Sequence, residues 1–495
     1  MQSILNASLF VSASGIMSLV AGFVSSVVIA RLLGAEGTGL TALAVWVAIT
    51  AAIISSTGVP AIVLRYISRQ ENTAEAQNGL VNLLYRRFLW PVLLASTLFL
   101  AYGVGDYFFE GLNNALVWGI AGLICFAYAQ GHYVIAADHG LGHFHKTAQK
   151  TAWGCALQIP VTIAGAVFFG PAGAMAGYLC RYLPQAFGLS AYKHPSRTEG
   201  IEITPQMVRY GQSNWLTIVL DTLVKTRVEF LFIGFFFTVT EVGYFAVGVT
   251  FSSLILQLSL YLAAGLTPGF GKLHDDHARE DLQLSYDRAL RWLSLLLVPV
   301  SLGGAAVMPA LIPLAFGQDF AAAIPIGTLL VLFALPQALS AVMLSAMLAF
   351  EHDRPLLLIN IVFAGILVIL NLVLVPVYGG VGAAIVRGLI GVFAFAFMLT
   401  YCHKALGLSV NLVAMAKLLV SGVACAATAS IIVFFIDGLP GLLLAIPGAA
   451  FVYLAFLRLI KPFPRNDLNA LGRLISDKFP CRVQPVALRA LAFLQ

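Results

Sequence analysis

Charge is scarce in this chain. Only 10% of its 495 residues are Asp, Glu, Lys or Arg, against about 25% in soluble domains, so a water-soluble globule is excluded. Cysteine is sparse and unpatterned: Cys125, Cys155, Cys180, Cys402, Cys425 and Cys481 show no C-x-x-C spacing, which implies neither a disulfide framework nor a zinc site. There is no G-x-x-x-x-G-K-[ST] loop and no G-x-S-x-G elbow, so the motifs of ATP-driven pumping and of serine hydrolysis are missing. His139, His143 and His145, and likewise His274, Asp275, Asp276 and His277, lack a tetrahedral ligand spacing and read as solvated loops. No catalytic residue, metal or cofactor is expected.

What is present is apolar. Hydrophobic residues make up 60% of the chain and mean hydropathy is +0.92. A bilayer core of about 30 Å takes about 20 apolar residues per helix. Runs of that length recur near residues 9–30, 40–64, 88–108, 115–136, 151–169, 173–192 and 209–234, and again near 243–268, 290–314, 324–349, 355–376, 381–401, 413–436 and 441–460. The runs are continuous rather than alternating, which excludes barrel strands. The expected fold is an all-α polytopic membrane protein of about fourteen transmembrane helices. No Lys or Arg precedes the first run and no A-x-A-like site follows it, so a cleaved signal peptide is not expected.

Short cytoplasmic loops hold an excess of Lys and Arg. With the N-terminus inside, the outer loops contain only Arg31 of the 28 cations, four lie within spans, and 23 remain on the cytoplasmic side. Both termini are therefore placed in the cytoplasm, and the net charge of +6 follows from topology without any role for nucleic acid.

An internal repeat organises the spans. GLTALA (39–44) matches GYFAVG (243–248) at an offset of 204, Pro60 matches Pro268 at 208, and the turn opening at Gly170 matches the one opening at Gly379 at 209. Two pseudo-symmetric six-helix lobes follow, plus two C-terminal helices: 1–192, a cytoplasmic linker 193–208, 209–402, two extra helices within 403–460, and a tail 461–495. Leu468, Leu471, Leu474 and Ile475 give that tail an apolar face among Arg473, Lys478, Arg482 and Arg489, as in a helix lying on an anionic membrane surface.

Ionisable groups inside a span cost about 2.5–3.5 kcal/mol each, so they face a cavity or a partner. On the seventh span Asp221, Lys225 and Glu229 recur at i, i+4 and i+8, Asn214 and Thr217 extend the stripe, and Arg227 points roughly the opposite way. The stripe either lines a hydrated cavity or forms a self-neutralising ladder against another helix. Arg181 in helix six and Arg387 in helix twelve occupy corresponding helices of the two repeats, one turn apart. A planar guanidinium suits a diphosphate, whose oxygens it binds two at a time. Each arginine could instead snorkel or cap a neighbouring helix.

Four segments carry a resemblance: ARLLGAEGTGLTALA (30–44), TEVGYFAVG (240–248), LIPLAFGQDF (311–320) and LNLVLVPVYGGVGAAI (370–385). They resemble polysaccharide-exporting members of the multidrug/oligosaccharidyl-lipid/polysaccharide exporter superfamily, including the O-antigen flippases, over roughly residues 5–460. The resemblance implies alternating access in a bacterial inner membrane and a cationic cavity for the diphosphate and sugars of a polyprenyl-linked oligosaccharide. It also implies neighbours that make or polymerise the glycan, and it supplies no invariant catalytic residue. Three alternatives stay open. A drug or cation antiporter would want a buried carboxylate, for which the first lobe offers none and only Asp221 and Glu229 could serve. A lipid-linked peptidoglycan precursor flippase shares the architecture. A membrane-embedded glycan polymerase or ligase would need larger outer loops than the three to ten residues expected here.

Overall fold

The computed structural model describes residues 2–70, 73–193, 198, 201–225 and 227–463, with side chains for all of these but 2–9, 110, 223–225 and 353. The described chain is helical throughout, without a strand. It divides into two compact units, 1–246 and 247–495. Ten of its helices are long and apolar enough to cross a membrane. Helices suit this setting because they satisfy their own backbone polar groups where no water can. The tail expected over 461–495 lies outside the described residues from 464 on.

Three helices are too long for one crossing. α1 (Gln2–Ser55), α5 (Phe144–Phe187) and α12 (Asp353–Ala405) run for 54, 44 and 53 residues, whereas about 20 span the bilayer core. Each contains one glycine with non-helical angles: Gly34 (φ 66°, ψ −167°), Gly170 (φ 58°, ψ −141°) and Gly379 (φ 56°, ψ −136°). A side chain at such positive φ would clash with the following carbonyl, so glycine is where the chain reverses.

Gly170 and Gly379 share their angles at the offset of 209, and the match extends to the preceding turns. Between α4 (Leu112–Gly140) and α5, Leu141 (φ −93°, ψ 0°) is followed by Gly142 at φ 75° and His143 (φ −80°, ψ 44°). Between α11 (Ala323–Ala349) and α12, Phe350 (φ −91°, ψ 7°) is followed by Glu351 at φ 59° and His352 (φ −87°, ψ 55°). The sequence repeat is thus a repeat of backbone path.

In the first unit α3 (Ala74–Glu110), α4 and α5 enclose a core of Leu80, Leu84, Phe88, Ile124, Tyr133 and Met175. Phe88 stacks on Tyr133 at 4.8 Å. At one end the buried Asp138 pairs with Lys150 at 2.8 Å and accepts from the Tyr192 hydroxyl, which ties the end of α5 back to α4. In the second unit α13 (Leu412–Phe435) and α14 (Gly438–Ile460) pack on α10 (Arg279–Phe316). Gln283 clips the connection before α13, donating to Ser409 O at 2.7 Å and accepting from Ser409 N at 2.8 Å.

The seventh span differs from expectation. The sequence predicts one helix over 209–234, but α6 (Pro205–Lys225) ends and a separate α7 (Glu229–Phe236) begins. The new helix opens with i→i+3 bonds from Phe230 N to Arg227 O and from Leu231 N to Val228 O, both 3.0 Å. Its position is set by rings: Phe230 meets Trp46 edge-on at 6.2 Å and Phe245 at 5.9 Å. Asp221 and Glu229 therefore do not share one continuous helical stripe.

The two arms of α5 pack backbone to backbone. A Cβ built on Gly165 would lie 2.0 Å from Gly173 O, and one on Gly173 would lie 2.0 Å from Gly165 O. Gly165→Ala and Gly173→Ala should each destabilise the detergent-purified protein by about 1–3 kcal/mol, as overpacking does. Gly105→Ala, in α3 with open space around the built Cβ, should be neutral or stabilising by about 0.5–1 kcal/mol, by helix propensity. Thermal melts reading equal shifts for all three would refute the close-packed hairpin.

Candidate functional site

Arg181 lies on the second arm of α5, eleven residues past the Gly170 turn. Gly154 on the first arm makes room for it: a Cβ there would sit 2.2 Å from Arg181 O. That approach brings the fully buried Gln158 beside the guanidinium. Arg181 Nη1 donates to Gln158 Oε1 at 3.5 Å, and Gln158 Nε2 donates to Ser25 Oγ of α1 at 3.0 Å. The guanidinium also lies 5.7 Å from the Tyr182 ring. No carboxylate pairs with Arg181 among the described residues. Its remaining donors are those that an anion would use.

A second cation lies in the same unit. Arg227, before α7, lies 5.8 Å from the Phe230 ring and has a partner of its own. Sequence periodicity carries one helix through this segment, whereas α6 ends at Lys225 and α7 opens at Glu229. At the offset of 209 the counterpart of Arg387 is Tyr178.

The other candidates separate. Asn214 lines a cavity of about 300 Å³ with Tyr128, His132, His139 and Trp215. Thr217 is exposed and its hydroxyl bonds back to Ser213 O at 3.0 Å. Asp221 is half-buried and Glu229 fully buried, and each has an interaction partner. The Lys225 side chain lies outside the described residues, so the ladder it would centre does too. Arg387 belongs to the second unit, half-buried on α12 beside Gly388, which packs against the Phe333 ring, and it also has a partner. No three His, Cys, Asp or Glu side chains come together among the described residues. His143, in the turn before α5, is held below the usual imidazole range by partial burial and by the nearby Lys146 ammonium.

The cavity is shaped by another glycine contact. Gly58 (φ 79°) ends the helical path after α1, and a Cβ on it would meet Gly211 O of α6 at 2.1 Å. Trp215 Nε1 donates to Ile54 O at 3.0 Å, a carbonyl near the end of α1 that otherwise accepts only a long 3.5 Å bond from Thr57 N.

The family model described as "Polysaccharide biosynthesis protein" matches residues 28–325. The chain belongs to this family. Among solved structures, this family member is similar to the lipid II flippase MurJ in an inward closed conformation, with a TM-score of 0.71 and 14% identity over 91% of this chain and 98% of that one. It is also similar to an inward-facing multidrug resistance MATE family transporter of the MOP superfamily (0.57, 14%, over 77% and 93%). A third likeness is to the Vibrio cholerae MATE transporter VcmN in its bent form (0.54, 15%, over 82% and 97%). At these identities the likenesses establish the fold that the polysaccharide biosynthesis protein shares with them. No curated protein matches the sequence.

If Gln158 positions Arg181, Gln158→Leu should remove both bridging bonds while keeping the bulk of the side chain. Arg181 would then be reoriented at a stability cost of about 1–3 kcal/mol, from leaving buried polar groups unpaired. Gln158→Glu should instead pair with Arg181 directly and neutralise it. Thermal melts should find Gln158→Glu at least as stable as the wild type and Gln158→Leu less stable; a Gln158→Leu as stable as Gln158→Glu would show that the amide does not position Arg181.

Proposed function

We propose that this chain is a flippase that moves a polyprenyl-diphosphate-linked oligosaccharide across the bacterial inner membrane by alternating access, for surface or secreted polysaccharide. The observation that carries this reading is Arg181, a cation within a membrane-length helix that is held by a neutral amide rather than a carboxylate. Membership of a polysaccharide biosynthesis family fits a glycan cargo. A diphosphate brings the negative charge that the described residues do not supply to Arg181. The reading includes a chain of fourteen spans with both termini in the cytoplasm, two lobes divided near 193–208 and rocking against each other, and Arg387 as a second contact to the diphosphate. It assigns transport rather than catalysis. Its partners are the lipid-linked glycan, the bilayer and the glycosyltransferase or polymerase that work on the same glycan.

A second reading has one observation behind it. The similarity to a lipid II flippase, at a TM-score of 0.71, makes a lipid-linked peptidoglycan precursor the alternative cargo. Deleting the gene separates the two: loss of one surface or secreted glycan, with its lipid-linked unit accumulating in a viable cell, supports the first. Lysis with intact glycan supports the second, and altered dye efflux alone would sink both.

At the residue level, Arg181→Ala should reduce glycan export at least about tenfold at normal protein level, the size of one lost charge-assisted hydrogen bond. Arg181→Lys should rescue only in part, because an ammonium keeps the charge and loses the planar fork. Full export in Arg181→Ala would remove that residue from the site.

A further inference from the structure

The cavity between the end of α1, α2 (Val59–Tyr66), α4 and α6 is not used by Arg181. It is lined without a single Asp, Glu, Lys or Arg. Its walls are aromatic and polar: Tyr128, Trp215, His132, His139 and Asn214. His132 stacks on Tyr128 with the rings 7° from parallel. Several of these polar groups lack partners. His139 Nε2 is buried without a hydrogen bond, and the exposed His132 and half-buried Asn214 line the cavity without a hydrogen bond to the described residues. A buried polar atom in a native protein is normally satisfied, and His139 Nε2, with two more unbonded polar side chains around a cavity of about 300 Å³, marks a ligand site at the small end of the usual range.

The lining also selects the ligand. A diphosphate would find no cation in the cavity, and a metal ion or organic cation would find no carboxylate. Neutral donors and acceptors beside aromatic walls suit an uncharged ring bearing hydroxyl or amide groups. The cavity adjoins Arg181 through one ring: Tyr128, which lines it, meets the Tyr182 ring edge-on at 5.1 Å, and Arg181 lies over that same ring. We propose that this cavity is the subsite for one sugar ring of the lipid-linked glycan, set beside an anion subsite at Arg181. Asn214 and the two histidines would hydrogen-bond the ring substituents. This rests on the flippase reading given above and adds the place where glycan, rather than diphosphate, is recognised.

The test compares two probes on the full-length protein in nanodiscs, polyprenyl diphosphate bearing one N-acetylhexosamine and the same lipid diphosphate bearing no sugar. Binding is read from Trp fluorescence and from microscale thermophoresis. The sugar-bearing probe should bind at least about tenfold tighter, as expected for one or two satisfied polar groups. Asn214→Ala and His132→Ala should abolish that difference and leave the bare diphosphate unchanged, whereas Arg181→Ala should weaken both probes. Ala61→Phe, which fills the cavity without removing a polar group, should act as Asn214→Ala does. Equal binding of the two probes to the wild type overturns the sugar subsite while leaving an Arg181-dependent flippase intact. Binding of neither probe overturns the subsite and the flippase reading together. A sugar preference that survives Asn214→Ala, His132→Ala and Ala61→Phe at wild-type thermostability places the sugar elsewhere and overturns the proposal.

Discussion

The first unit depends on how closely the two arms of α5 approach each other. Inside a bilayer, lipid tails are as apolar as leucine, so helices hold together through close van der Waals contact and small residues. Gly165 against Gly173, and Gly154 against the Arg181 backbone, give α5 that contact. The consequence is chemical as well as structural. With the backbones this near, a glutamine on one arm reaches an arginine on the other, and a serine on α1 anchors the glutamine. A bulkier seam would push the arms apart and leave a buried amide and a guanidinium unsatisfied.

The break in the seventh span ends its stripe of ionisable groups. In an unbroken helix Arg227 would point away from Asp221 and Glu229. With one helix ending at Lys225 and the next opening at Glu229, Arg227 lies at the junction, 5.8 Å from the Phe230 ring. Glu229 opens the new helix, where a negative charge is favoured by the helix dipole. Intrinsic propensity is too weak to enforce such a break, since ordinary residues differ by at most about 0.7 kcal/mol. The docking of Phe230 between Trp46 and Phe245 is a tertiary cause, and it cannot be read from residues 209–234 alone.

That sets what the sequence could and could not reveal. Gly170 and Gly379 were legible because a glycine between two apolar runs, recurring at a fixed offset, has a direct backbone meaning. The helical class and the spans that became α13 and α14 were legible for the same reason, since run length answers to bilayer thickness. Arg181 stood out as a cation in a span. Arg227 was visible too, but a 100° rotation per residue gives its direction only while the helix continues. Tyr128 and His132 gave no signal: an aromatic or a histidine within an apolar run is common, and only the Gly58–Gly211 contact shows that theirs opens into a cavity. Contacts of this kind, with Trp46–Phe230, also explain why α6 and α7 lie in the compact unit that ends at 246.

A cation kept without a carboxylate partner in a membrane helix is expensive, since insertion alone costs about 2.5–3.5 kcal/mol. Gln158 lowers that cost through hydrogen bonding but leaves the charge in place. Two features point the same way. The buried acceptors Thr162 and Asn371 stand at the same offset of 209, each fully buried with an oxygen that has no partner among the described residues, so both repeats retain unsatisfied polarity at the corresponding position. The neutral cavity next to Arg181 likewise leaves His132, His139 and Asn214 unfilled by the protein itself. A structural ion pair would have been complete without any cargo. A set of groups incomplete in charge beside a set incomplete in hydrogen bonding is complemented by one molecule carrying both an anion and a hydroxylated ring. A ligand can shift a conformational equilibrium only by its differential interaction with the two states. Polar groups left unsatisfied in the empty protein are where such a difference arises.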